Sequence, residues 1–307
     1  MPIIQDFHKV TLADREAVLE QTKHNRYRNC DYSFSNLYGW QETYGTEIAF
    51  HKGMMLVRFS NPAHDRQAYL MPVGSGEVRE VLLDLQRDLL ERGEENIILM
   101  SVTGNALDEL KALDPPRMKD FTSRDYCDYI YLRESLATLS GKKLQSKRNH
   151  INKFEKLYPG WVYEEITPEN AEKCIGLEKV WLGNSDEDPD KLRERSVVLN
   201  ALRHKDEIGL YGGCIKVDGR VVAFSLGMPV TGDTFDVNIE KADTAYEGSF
   251  SIINREFARR IPEQYTYVNR EEDLGVEGLR KAKLSYNPEL LLCKSTVLLA
   301  FDSAYDR

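Results

Sequence analysis

Apolar positions in the second half of the chain alternate in some stretches and recur at helical spacing in others, and the two periods divide it into elements. A strand over 161–166 precedes a helix over 169–182, with Thr167 as N-cap and Pro168 as first helical residue. After the acidic loop GNSDEDPD and a helix over 191–204 come three apolar runs. They are separated by Asp218-Gly219 and by Thr231-Gly232-Asp233, turn chemistry that predicts an antiparallel meander. A helix over 250–261, a strand over 265–268, a helix over 275–284 and a strand over 290–301 complete the order β-α-α-β-β-β-α-β-α-β. The first half reads similarly, with strands near 5–10, 47–50, 54–59, 67–71, 96–102 and 126–132 and helices over 12–24, 33–44, 77–92 and 106–113. The pattern predicts an α/β (α+β) chain of two domains with mixed, largely antiparallel sheets, over 1–138 and 161–307, joined by a basic linking helix over 139–160.

Charge changes the picture in two places. The chain of 307 residues carries a formal net charge of −9, which argues against a dedicated nucleic-acid-binding domain. Between 142 and 156, however, Lys142, Lys143, Lys147, Arg148, Lys153 and Lys156 face Glu155 alone, on a segment with one apolar seam. This segment is either a solvated helix or a cradle for phosphates. The second place is NREEDLGVEGLRKAKLSYNP, 269–288, where acids, glycines and cations crowd against the end of a predicted strand. Loops at strand ends are where α/β folds put chemistry, so Asn269 and Arg270 are candidate substrate contacts there.

The five cysteines are odd in number and widely spaced, without CxxC or histidine pairing, so neither a disulfide framework nor a metal site is expected. The acidic run at 186–190 lacks the glycine and bidentate acid of a calcium loop and reads as an acidic lid. Nowhere do about 18 apolar residues run together. A cytoplasmic protein without a transmembrane segment is expected, with a peripheral membrane contact left open.

The repeated element order resembles the GNAT (acetyltransferase-like) fold, and two copies resemble the tandem GNAT arrangement of aminoacyl-tRNA-dependent transferases. Four stretches together, CDYSFSNLYGW (30–40), SGKKLQSKRNHINKF (140–154), VNIEKADTAYEGSFSIINREFARR (237–260) and VNREEDLGVEGLRKAKLSYNP (268–288), resemble the DUF2156 family. That family is similar to the C-terminal catalytic domain of phosphatidylglycerol lysyltransferases, and more distantly to Fem-type aminoacyltransferases. The resemblance implies acyl transfer, with aminoacyl-tRNA as donor substrate, no tightly bound cofactor, and a lipid-headgroup, small-molecule or peptide acceptor offering an amine or hydroxyl. Acetyl-CoA-dependent N-acetylation and a non-catalytic binding module are the alternatives.

An acetyl-CoA site needs a glycine-rich loop whose amides hold pyrophosphate at a helix start. Here the corresponding stretch has Gly248 and Ser249, with Glu247 opposing an anion. Transfer from an ester needs orientation, a base and an oxyanion partner rather than a nucleophile. Glu240 and Asp273 are the candidate bases, each with ordinary salt bridging as the alternative. Arg280 and Lys283, three apart on one helical face, are candidates to bind a phosphate or neutralise an oxyanion, and Tyr286 to stack or donate a proton.

Overall fold

The computed structural model describes residues 2–61, 66–182 and 189–301. It divides into two compact units, one of residues 1–128, 230–232 and 292–307, the other of 129–229 and 233–291. This partition differs from the expected 1–138, 139–160 and 161–307. The strand Asp128–Leu132, expected to close the first domain, pairs into the second sheet, with Val268 opposite Tyr131. The expected last strand over 290–301 splits. Leu290–Leu292 edges the second sheet, whereas Lys294–Ala300 lies in the first, between Ile97–Thr103 and Arg117–Thr122. Periodicity identifies a strand but says nothing of which sheet will pair with it. Arg117–Thr122 escaped the sequence reading because its side chains are mostly exposed, so no apolar alternation marks it.

The first unit's sheet runs His8–Lys9, Glu47–His51, Met54–Asn61, Arg66–Leu70, Ile97–Thr103, Lys294–Ala300, Arg117–Thr122. Cys127 and Cys293 form a disulfide across 166 positions with Cα atoms 4.2 Å apart, a pairing their spacing did not announce. Beside it, the Lys294 ammonium stands 3.0 Å from Asp31 and 2.7 Å from Asp128. Cys30, Asp31 and Asp128 form the cluster with metal-ligating atoms among the described residues, and Lys294 already supplies its positive charge.

The second unit's sheet runs Leu290–Leu292, Asp128–Leu132, Tyr267–Asn269, Thr234–Ala242, Arg220–Pro229, Tyr211–Val217, Val162–Glu165. Its meander is as expected from Asp218-Gly219. Tyr267–Asn269 and Thr234–Ala242 pair in parallel, because the helix Ser249–Ala258 crosses between them. The expected linking helix is Gln145–Leu157, preceded by a 3-10 turn at Lys142–Leu144. It is not a linker: Ile151 and Phe154 enter the core of the second unit with Ile252, Ile253 and Phe257. A large aliphatic and an aromatic packed this way contribute roughly 2 kcal/mol each, more than a tether requires. Residues 186–188 of the acidic loop lie outside the described residues, and Asp190 pairs with Arg193 at 2.7 Å. Among the described residues no helix is long and apolar enough to cross a membrane.

Candidate functional site

The parallel pair is short. Thr234, Phe235 and Asp236 lie opposite Tyr267, Val268 and Asn269, after which one strand continues to Ala242 and the other leaves the sheet. Asn269 is fully buried and accepts the Glu271 amide on its side-chain oxygen at 2.7 Å, an Asx turn that aims Arg270 back across the gap. Glu271 takes a left-handed φ of 57°, the local strain that this reversal requires.

Across the gap, Arg270 Nη2 donates to Glu240 Oε1 at 2.7 Å, while Asn254 Nδ2 donates to the other carboxylate oxygen at 3.1 Å. Both charged side chains are largely buried, at 11% and 12% exposure. The guanidinium lies 5.6 Å from the Tyr131 ring centre and 4.8 Å from that of Tyr286, and the Lys147 ammonium sits 4.0 Å over the same Tyr286 ring. The charges of Arg270, Lys147 and Glu240 sum to a local excess of one positive charge. Burial opposes the charge on Arg270, but the facing Glu240 carboxylate together with Tyr131 and Tyr286 outweighs it and raises the guanidinium pKa. Lys147 has no such compensation. Burial and the nearby Arg270 charge lower its pKa to about 8, against a weaker opposing pull from Glu240. Burial also raises the Tyr286 phenol, which therefore stays protonated.

One nitrogen has no partner. Arg270 Nη1 is buried and makes no hydrogen bond among the described residues. Leaving such a donor unmet costs about 1–3 kcal/mol, and it is a natural place for an acceptor atom of a ligand. An acceptor oxygen brought to Nη1 would be held and polarised there, beside an amine whose neutral form is accessible near physiological pH.

The remaining candidates lie elsewhere. Asp273 is fully buried and accepts Arg280 through both carboxylate oxygens at 2.9 and 2.7 Å. It also accepts the Tyr129 hydroxyl at 2.5 Å and the Gly275 amide at 2.9 Å. Arg280 foremost, with Tyr129 and Gly275, holds its carboxyl far below the usual carboxylate range despite burial. A carboxylate held by these donors at a lowered pKa is a weak proton acceptor, and with Arg280 it clamps the loop. Lys283 is likewise turned inward, donating to the carbonyls of Arg270 and Glu272, and it fixes the backbone that carries Arg270 rather than meeting substrate.

The helix start at Gly248 and Ser249, expected to cradle an anion, is crowded by the basic helix. A Cβ on Gly248 would stand 2.6 Å from the His150 carbonyl and 3.0 Å from Phe154 Cβ, so the basic helix lies directly over this helix start. The Ser249 hydroxyl donates to the Asp243 carbonyl at 2.9 Å, and Lys153 pairs with Glu247 at 2.7 Å. Arg148 is spent on the turn before its own helix, donating to the Leu139 and Gly141 carbonyls. Lys142 and Lys143 are exposed. The structure thus gathers Lys147, Glu240, Arg270 and Tyr286 of the expected residues, places Asn269, Asp273, Arg280 and Lys283 in support, and leaves Gly248, Ser249, Arg148 and Lys153 out. Sequence reading missed Tyr131 and Asn254. The signal for Asn254 is a polar residue on a helix face otherwise built of Ile252, Ile253 and Phe257; Tyr131 gives none.

The pattern of the family described as "Phosphatidylglycerol lysyltransferase, C-terminal" matches residues 23–296. A conserved protein of unknown function from Bacteroides thetaiotaomicron is 44% identical, with a TM-score of 0.91 over 97% of this chain and 100% of that one. The DUF2156 C-terminal domain of a proposed lysylphosphatidylglycerol synthetase from Agrobacterium fabrum gives a TM-score of 0.64 over 96% and 94% of the two chains. At 12% identity that likeness speaks for the fold alone. An uncharacterised protein of Mycoplasmoides gallisepticum is 27% identical over 173 residues, and the match spans about half of each chain, 54% in both cases. With nearly its whole length matched, this chain belongs to the phosphatidylglycerol lysyltransferase C-terminal family.

Proposed function

We propose that the second unit transfers an aminoacyl group from aminoacyl-tRNA to an amine or hydroxyl acceptor in the pocket of Lys147, Glu240, Arg270 and Tyr286. Family membership supports acyl transfer. The observation that carries the reading is the buried, unpartnered Nη1 of Arg270 beside a lysine whose pKa is lowered to about 8. When the acceptor attacks the ester carbonyl, negative charge develops on its oxygen, and a fixed guanidinium donor stabilises that charge more than the neutral carbonyl. Neutral Lys147 takes the proton from the acceptor, and its ammonium returns it to the departing ribose hydroxyl as the ester C–O bond breaks. Glu240 keeps the guanidinium in place, and Tyr286 walls the pocket.

The crowding at Gly248, with Glu247 beside it, speaks against the acetyl-CoA alternative in this unit. Incubation of the protein with radiolabelled aminoacyl-tRNA and, in parallel, phosphatidylglycerol vesicles or a soluble amine decides between the donors. Label is expected to leave tRNA for an acceptor, and saturating CoA is expected to leave the melting temperature unmoved, since only a ligand of the native state raises it. A clear rise with CoA together with transfer from acetyl-CoA would replace this reading. Absence of transfer from every charged tRNA would favour the binding-module alternative.

A further inference from the structure

The helix Glu277–Leu284 is inside out. Its one buried residue is Lys283, while Leu279 and Leu284 are 39% and 44% exposed. In the loop just before it, Leu274 and Val276 are exposed by 63% and 56%. Four large apolar side chains within eleven positions thus face solvent, and the loop that presents them is held rigid from beneath by Asp273, Arg280 and Lys283. Scattered exposed leucines are ordinary, but four large apolar side chains exposed on one short, pinned segment mark a surface that something covers.

The neighbouring charges say what covers it. Tyr286, two residues beyond Leu284, carries Lys147 over its ring, and Lys143 and Lys142 precede Lys147 by about one turn on the exposed end of the basic helix. Lys281 is exposed on the apolar helix itself, paired with Glu277 at 2.7 Å. Apolar side chains flanked by lysines match the boundary of a bilayer, where hydrocarbon lies a few ångströms below anionic headgroups. RNA would offer the leucines nothing, and the net charge of −9 repels an anionic surface from most other faces.

We propose that Leu274, Val276, Leu279 and Leu284 form an interfacial membrane-docking surface that inserts into an anionic lipid surface, with Lys142, Lys143 and Lys281 at headgroup level. The docking does not depend on the transferase reading and stands or falls by itself. Co-sedimentation of the whole chain with phosphatidylcholine vesicles containing an equal share of phosphatidylglycerol tests it.

The protein is expected to partition onto the anionic vesicles and not onto phosphatidylcholine alone. L274S/V276S is expected to lower the partition coefficient about 100-fold, near tenfold for each lost apolar side chain. K142A/K143A is expected to lower it roughly 20-fold on anionic vesicles. A V276W variant reports insertion locally by a blue shift of its emission on anionic vesicles. No partitioning, no emission shift, or partitioning indifferent to L274S/V276S overturns the proposal. A change from dimer to monomer on L274S/V276S without loss of vesicle binding does so too, and assigns the surface to a second copy. If L274S/V276S loses transfer to vesicle lipid but keeps transfer to a soluble amine, both readings stand. If vesicle binding is confirmed and no acceptor is labelled, the transferase reading fails and the docking surface survives.

Discussion

R270K is expected to slow aminoacyl transfer in a single turnover by about 100-fold or more, the usual effect of removing one preorganised oxyanion donor. Lysine keeps the positive charge beside Glu240, so the buried carboxylate is not left alone, but it cannot send one nitrogen to Glu240 and a second, fixed one into the pocket. Donor binding should change little, because the lost hydrogen bond is made to charge that develops only in the transition state. Unfolding in urea separates this from a structural effect: R270K should lose about 1–2 kcal/mol, the cost of one charge-assisted hydrogen bond. A variant as active as the parent would remove Arg270 from the chemistry.

D273A is expected to act in the opposite sense, destabilising the protein by about 3 kcal/mol through loss of a paired buried carboxylate, with transfer per folded molecule far less affected than in R270K. The carboxylate holds Arg280, Tyr129 and the Gly275 amide at once, so its removal unfastens the loop that begins at Arg270. The pH dependence follows from the lowered pKa of Asp273 in the folded state. Its contribution is complete above the unfolded value near 4 and declines as the pH falls below that, because the unfolded chain then binds a proton that the folded one refuses. Denaturation of parent and D273N should therefore differ most near neutrality and converge in acid. Equal stability at neutral pH, with transfer abolished, would restore Asp273 as a base.

These two residues also show what could be read in advance. Local order was legible: turn dipeptides and apolar periods gave the meander, the helices and the gathering of charge at a strand end. Long-range pairing was not, since the strands at 128–132 and 294–300 have the pattern of strands in either sheet and only the fold assigns them. The acidic loop presents Asp273, Arg280 and Lys283 as equal candidates alongside Arg270, because charged residues look alike until their partners are known. Burial sorts them. Three turn inward to hold the loop, and Arg270 alone of the four is left with an unmet donor. Lys147 was legible as a cation but not as a base, since nothing in a run of lysines tells which one lies over Tyr286 and loses its water.

The central claim, that Lys147 is the proton acceptor beside the Arg270 donor, is tested most directly by the pH dependence of single-turnover transfer in the parent and in K147M. The account predicts that the parent rate rises about tenfold per pH unit and levels off near the lysine pKa of about 8, while K147M is slow and loses that inflection. An inflection that persists unchanged in K147M at the parent's rate would contradict it.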